Sequence, residues 1–245
     1  MNLVYLRFEL LRLFRNKRFV IFSLVLPLAL FETIGHSNKA DVIPGTNGLK
    51  FITFFMVSMA GYGAMIGALA GGARIAAERS AGWSRLLRLT PLKPRNYLIG
   101  KVLTAYVMSC CSVALLFIAG SIEGVRIDGF GRWAEMTGLI LLGILPFIAL
   151  GIIMGHKLTV DTMSPALGIG AAIFAVLGGM WGPGTSSGTM RDIGEWVPSY
   201  WIAQASHVGV GGDVWGSKGW LVVLGWSLLL GALAAQAFRR DTQRV

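Results

Sequence analysis

The stretch that decides the fold is Arg74 to Lys101, RIAAERSAGWSRLLRLTPLKPRNYLIGK. It carries seven Lys and Arg residues against one acid, Glu78, and it separates two runs, Phe51 to Ala73 and Val102 to Ile122, that contain no Asp, Glu, Lys or Arg. A helix needs about 20 predominantly apolar residues to cross a hydrocarbon layer of about 30 Å. Both runs reach that length. Lys and Arg in a short loop between two spans are retained in the cytoplasm, so the basic stretch is expected inside, and this orients the rest of the chain.

Composition agrees. The chain is 54% apolar and 14% charged, whereas about a quarter of a soluble domain is charged; an all-α integral membrane protein is predicted. The net charge of +10 comes from cations gathered at the ends of apolar runs, a pattern of topology and anionic lipid contact and not of nucleic-acid binding. Cys110 and Cys111 are adjacent within an apolar run. They cannot easily pair with each other in a helix and have no C-x-x-C spacing, so they read as buried thiols.

Working outward, residues 1–18 read as an amphipathic interfacial helix. Leu3, Leu6, Leu10, Leu13 and Phe14 recur at spacings of three and four, and Arg7, Arg12 and Arg15 flank them with charges that can reach headgroups. A signal peptide is the competing reading; the long patterned basic region and the lack of a small-x-small site after the apolar run argue against cleavage. The first span, centred on Phe19 to Phe31, is the weakest and contains Pro27, with Glu32 expected near its outer end, facing protein or water. Phe51 to Ala73 follows as the second span. Its rows Gly63, Gly67, Gly71 and Ala60, Ala64, Ala68, Gly72 predict close packing against another helix, in this chain or across a dimer.

Val102 to Ile122, Met136 to Gly155 (kinked at Pro146), Thr162 to Gly182 and Gly219 to Phe238 complete six predicted spans. Between the last two, residues 183–218 are rich in Trp and interrupted at Pro183 and Pro198, which predicts short half-helices at or dipping into the outer interface. With both termini cytoplasmic, sixteen Lys and Arg fall inside and six outside. The balance supports that topology, in one transmembrane domain covering residues 1–245.

Motifs for chemistry are missing. The sequence has no phosphate-binding loop of the form G-x-x-x-x-G-K-[ST], no H-E-x-x-H and no G-x-S-x-G, and its histidines fall in separate segments. No catalytic residue, metal site or bound cofactor is expected. The spans also lack the paired carboxylates and Arg ladders of ion-driven transport. Any energy source must then be another molecule.

The basic stretch is expected to form a cytoplasmic loop over residues 74–96. Ala76 to Thr90 reads as a short amphipathic helix stopped by Pro91 and Pro94, with Trp83, Leu86 and Leu87 near one face and Arg79, Arg85 and Arg88 around the rest. Such a helix suits a partner's groove or an anionic lipid surface. The string Glu78-Arg79-x-x-Gly82, then Leu86-Leu87, Thr90-Pro91-Leu92 and Gly100-Lys101 resembles the signature of type-2 ATP-binding-cassette (ABC) exporter permeases, especially their drug and antibiotic branch. The interfacial helix, the six-span layout and the run from Gly179 to Pro198 agree with that family.

The resemblance implies a prokaryotic plasma-membrane permease that couples to a separate ABC ATPase, which binds ATP and magnesium, and that works beside a second permease copy, identical or different. By position it puts Glu78, Arg79, Gly82, Trp83, Arg85, Leu86 and Arg88 at the ATPase-coupling contact. Trp181, Pro183, Trp196 and Pro198 fall at the outer gate. Ser80, Trp83 and Arg85 depart from the residues common in the family. The substrate implied is an amphipathic small molecule, an antibiotic or a lipid-like compound, with Tyr62, Met65, Tyr106 and Met108 on apolar inner faces. The alternative is a membrane-embedded lipid-handling protein or enzyme that works without an ATPase.

Overall fold

The computed structural model describes residues 3–15, 20–43, 46, 48–82, 94–127, 129–182 and 188–243. The described residues are almost entirely helical, with a single isolated bridge between Val42 and Lys50. Helix α1 is Leu3–Arg15, and α2 comprises the consecutive segments Ile21–Val25, Leu26–Leu30 and Phe31–Gly35. Then come α3 (Phe51–Ser80), α4 (Pro94–Ile122), α5 (Phe130–Gly143), α6 (Leu145–Lys157) and α7 (Val160–Gly178). Two short helices, α8 (Thr189–Gly194) and α9 (Pro198–His207), precede α10 (Ser217–Gln243).

Among the described residues, five helical stretches are long and apolar enough to cross a membrane: α3, Arg95–Ile122 of α4, the joined pair α5 and α6, α7, and Ser217–Arg240 of α10. The expected first span is a shorter apolar helix, Ser23–Gly35. Its outer segments are π-helical on both sides of Pro27. Ser23, Pro27, Phe31 and Gly35, spaced by four, are all buried. On a regular α-helix that row would drift around the axis, and the wider π turns rotate it back toward the bundle. Glu32, off that row, is exposed, in line with its expected contact with water.

The centre of the molecule is α3, 30 residues or about 45 Å long, and its apolar stretch is almost wholly buried. Both small-residue rows work inside the chain. A side chain at Gly67 would come within 3.2 Å of the Ser109 amide on α4, and the Ser109 hydroxyl donates to the Ala64 carbonyl at 2.8 Å. On the adjoining face, a side chain at Gly151 of α6 would stand 2.7 Å from the Leu69 carbonyl and one at Gly155 2.5 Å from that of Gly72. Glycine is needed there because the two backbones touch.

The break expected at Pro146 is present. Ile144 is a single turn residue (φ −80°, ψ −9°) between α5 and α6, and Pro146 occupies the first turn of α6, where its missing N–H costs nothing. Helix α7 stops at Gly178, short of the expected Gly182. Gly179 turns left-handed (φ 69°), and the Met180 and Gly179 amides close back on Ala175 and Val176 at 3.0 Å. Cys110 is exposed on the outside of the bundle and Cys111 half-exposed, against the buried position expected for both. Met65 and Met108 are fully buried and Tyr62 nearly so, which makes them core packing.

Candidate functional site

One end of the bundle gathers α1, the last turns of α3, the start of α4, and the C-terminal turns of α6 and α10. The geometry there is set by charge. Glu9, on the inner face of α1, is 4% exposed; Arg74 and Glu78 on α3 and Lys101 on α4 are 6%, 4% and 3% exposed. The Lys101 ammonium lies 2.6 Å from Glu9 Oε1 and 2.6 Å from Glu78 Oε1, so a single cation joins two carboxylates from two helices. Arg74 Nη2 donates to Glu9 Oε1 at 2.6 Å, and Tyr97 Oη to Glu78 Oε2 at 2.8 Å. Arg12, with its side chain about half exposed, reaches Glu78 at 3.3 Å.

Ions this deep survive only when each finds a partner. Burial works against a charge on Glu9, but Lys101 and then Arg74 outweigh it and hold the carboxyl below its ordinary range. The Tyr97 ring lies under the Lys101 ammonium at 5.0 Å and stacks at 6.1 Å on Phe238, which brings α10 to the cluster.

The quoted signature thereby acquires a physical meaning residue by residue. Glu78 points inward as the hub of α3. Arg79 turns the other way, where its Nη1 donates to the Gly155 carbonyl at the end of α6 at 2.9 Å. Gly82 adopts a left-handed conformation (φ 70°), ending the α3 turn. Gly100 is small because the ring of Tyr5 from α1 lies 2.7 Å from where a side chain would begin. Lys101 is the bridge. Residues Ala76 to Ser80 continue α3 and do not begin a separate helix. Trp83, Arg85, Leu86 and Arg88 lie outside the described residues.

On α1 the buried row is Glu9 and Leu13, while Arg7 and Arg15 are exposed. Of the expected apolar stripe, Leu13 is fully buried and Leu6 and Leu10 are half-buried, while Phe14 is 49% exposed; Phe8 and Leu11, outside that stripe, are 65% and 51% exposed. A carboxylate took the inner face because two buried cations face it. Glu9, Arg74, Tyr97 and Lys101 were not among the expected site residues, although the lone acid in a helix otherwise rich in Arg was a signal.

At the opposite end, α9 inserts its buried residues Ser199, Ile202 and Ser206 against α3, α5 and α7. Tryptophans hold this region by donating to backbone carbonyls: Trp201 to Glu195 at 2.9 Å, Trp215 to Trp201 at 2.8 Å and Trp226 to Trp196 at 2.9 Å. Of the expected gate residues, Trp181 packs edge-on to Tyr62 at 6.0 Å, Trp196 is 60% exposed with Lys218 over its ring at 5.0 Å, and buried Pro198 opens α9. Pro183 lies outside the described residues. His207 stacks on Phe54 at 4.5 Å and meets the Ser58 hydroxyl at 2.9 Å; loss of water around the ring pushes its pKa down to about 4.

Among the described residues no group of three or more His, Cys, Asp and Glu is placed to hold a metal ion. What the basic end can do is mechanical: it fixes α1 to α3 and α4 through shared ions.

Residues 30–235 match the model of the ABC-2 family transporter proteins. The chain is 33% identical, over 97% of its length and 96% of the relative's, to a Bacillus subtilis (strain 168) protein described as "Putative transport permease YvfS". The many-helix membrane architecture, the full-length relative and the matched model together make this chain a member of the ABC-2 transporter family, a multi-pass transport permease.

Proposed function

We propose that the chain is the permease subunit of an ATP-binding-cassette exporter, moving an amphipathic small molecule, antibiotic or lipid-like substrate outward. In this reading α2 is a sixth span, both termini and the basic end are cytoplasmic, and a second permease copy completes the path. ATP and magnesium bind a separate ATPase, which grips α1 and the loop after Gly82. The chain itself contributes no catalytic group. The membrane is the plasma membrane of a prokaryotic cell.

The observation that carries the proposal is the continuity of α3 between the two ends. At its basic end Arg74 and Glu78 are locked to α1 and α4. At the other, Phe54 and Ser58 contact His207, and a side chain at Gly61 would lie 3.1 Å from Ile202 of α9. A push on α1 or on the loop therefore reaches the re-entrant helices through one rigid element, because packed helices shift as units. In this mechanism Glu78 acts by positioning α1, from inside the cluster. Arg79 seats the end of α6 beside it.

The test is to tag the chain, purify it with the ATPase that accompanies it, and measure substrate-stimulated hydrolysis and flux into vesicles. Arg79→Ala and Glu78→Gln are expected to leave the ATPase bound while lowering stimulation several-fold. Flux in vesicles without any ATPase would instead favour the lipid-handling alternative, and unchanged stimulation in both variants would remove the coupling role.

A further inference from the structure

A cleft of about 1120 Å³ opens at the end of the bundle opposite the ion cluster, between the segment following α2, the first turn of α3, the turn after α4, and α9. Its charges are unbalanced. Lys39, Lys50 and Arg126 line it together with a single carboxylate among the described residues, Glu123. That carboxylate is already engaged, by Lys39 at 2.7 Å and His36 at 3.2 Å, and the Lys39 hydrogen bond first of all holds its pKa low. The side chains of Lys50 and Arg126 have no ion pair or hydrogen bond among the described residues. His207, kept neutral, adds no charge.

The remaining walls are of two kinds. Thr53 and Gln204 supply polar groups, while Ile52, Phe54, Val125 and Val210 supply apolar surface. The volume far exceeds that of an inorganic anion and lies in the range of organic ligands. Two unspent cations on a concave, partly apolar wall create a positive potential that draws anions from outside, and a guanidinium and an ammonium lining one cleft both suit the oxygens of a phosphate. The cleft also lies at the end of the bundle bearing the tryptophans, the level at which headgroups are met.

We propose that this cleft binds a phosphate ester carried on an apolar body, with the phosphate at Lys50 and Arg126 and the body along Ile52, Phe54 and Val125. An anionic phospholipid headgroup meets this description. The site is separate from the ATPase-coupling reading and does not rest on it.

The full-length chain, purified in a neutral detergent, is titrated calorimetrically with dihexanoylphosphatidylglycerol, dihexanoylphosphatidylcholine and free glycerol phosphate. Dihexanoylphosphatidylglycerol is expected to bind one per chain, about tenfold tighter than the zwitterionic lipid (about 1.4 kcal/mol), and more weakly as salt is added. Lys50→Gln and Arg126→Gln should each erase the preference, and Lys157→Gln, at the far end, should keep it. Equal affinity for the two lipids, or a preference intact in both cleft variants, would overturn the site. Free glycerol phosphate binding as tightly as the lipid would overturn the apolar half and leave a soluble phosphate ester as the ligand.

Discussion

The two ends of the molecule use charge in opposite ways. At the basic end, Glu9 and Glu78 are buried and share Lys101, with Arg74 and Tyr97 completing the set. At the other end, the ion pairs Lys218 to Glu195 (2.6 Å), Arg191 to Glu195 (3.0 Å) and Lys39 to Glu123 (2.7 Å) have equally short distances but lie in the open. Distance alone does not rank them. Water screens the exposed pairs, so each is worth at most about 1 kcal/mol, whereas removing one partner of a buried pair strands a desolvated charge at about 3 to 5 kcal/mol. Tethering at that end falls instead to tryptophan N–H groups and to packing.

The sharpest way to break this contrast is Lys101→Met. It takes from two buried carboxylates the cation they share, leaving Glu9 to Arg74 and Glu78 to Arg12 and Tyr97, and thermal unfolding in detergent is expected to show a loss of about 3 to 5 kcal/mol or failure to assemble. A loss under 1 kcal/mol would mean that water enters the cluster.

Next in size is Gly100→Ala. The added methyl meets the Tyr5 ring at 2.7 Å, and overpacking of this kind costs about 1 to 3 kcal/mol. Its distinguishing effect is local. Trypsin should cut at Arg7, Arg12 and Arg15 several-fold faster while the thermal transition of the bundle moves less than in Lys101→Met. Proteolysis unchanged from the parent chain would show that Tyr5 does not seat α1.

A pH titration sharpens the comparison. The Glu9 carboxyl titrates lower in the folded protein than when unfolded, so its contribution is complete above the ordinary carboxylate value of about 4.3 and is lost as pH falls through the depressed folded value. A spin label at Phe8, in a chain lacking both cysteines, should stay immobile at neutral pH and gain mobility only in strong acid. Lys101→Arg, which keeps a cation, should hold that window in place. Release already complete at pH values above the ordinary carboxylate range would contradict the pairing.

The smallest effect is expected for Glu195→Gln. It removes the negative charge that Arg191 and Lys218 share, yet the stability change should stay below about 1 kcal/mol and shrink with added salt, because these groups stand in water. Trp215→Phe, which deletes a hydrogen bond at a position 5% exposed, should cost more than Glu195→Gln; the reverse order would remove the contrast between the ends.

Much of the fold was legible in the chain. The charge-free runs mark α3 and α4, Pro146 marks the break between α5 and α6, and Gly63, Gly67 and Gly71 identify the face of α3 that meets α4. These are local patterns, and a helix repeats them along its own axis. The candidate site was legible only in part. Glu78, Arg79, Gly82, Gly100 and Lys101 stood out as a string, but the string does not say which way each side chain points. Pro27 was legible as a disturbance, though not the π turns on either side that keep Ser23, Pro27, Phe31 and Gly35 buried.

What the sequence determined by itself is the class of molecule: a helical membrane protein with its cations gathered on one side, since hydropathy and charge act on each segment independently of its neighbours. Only the tertiary structure decided that Glu9 meets Arg74 at a separation of 65 residues and Lys101 at 92, turning α1 from a surface helix into a part bolted to the bundle. Such meetings escape a linear reading because the energy of a buried ion depends on every group that surrounds it, and those groups come from helices far apart in the chain.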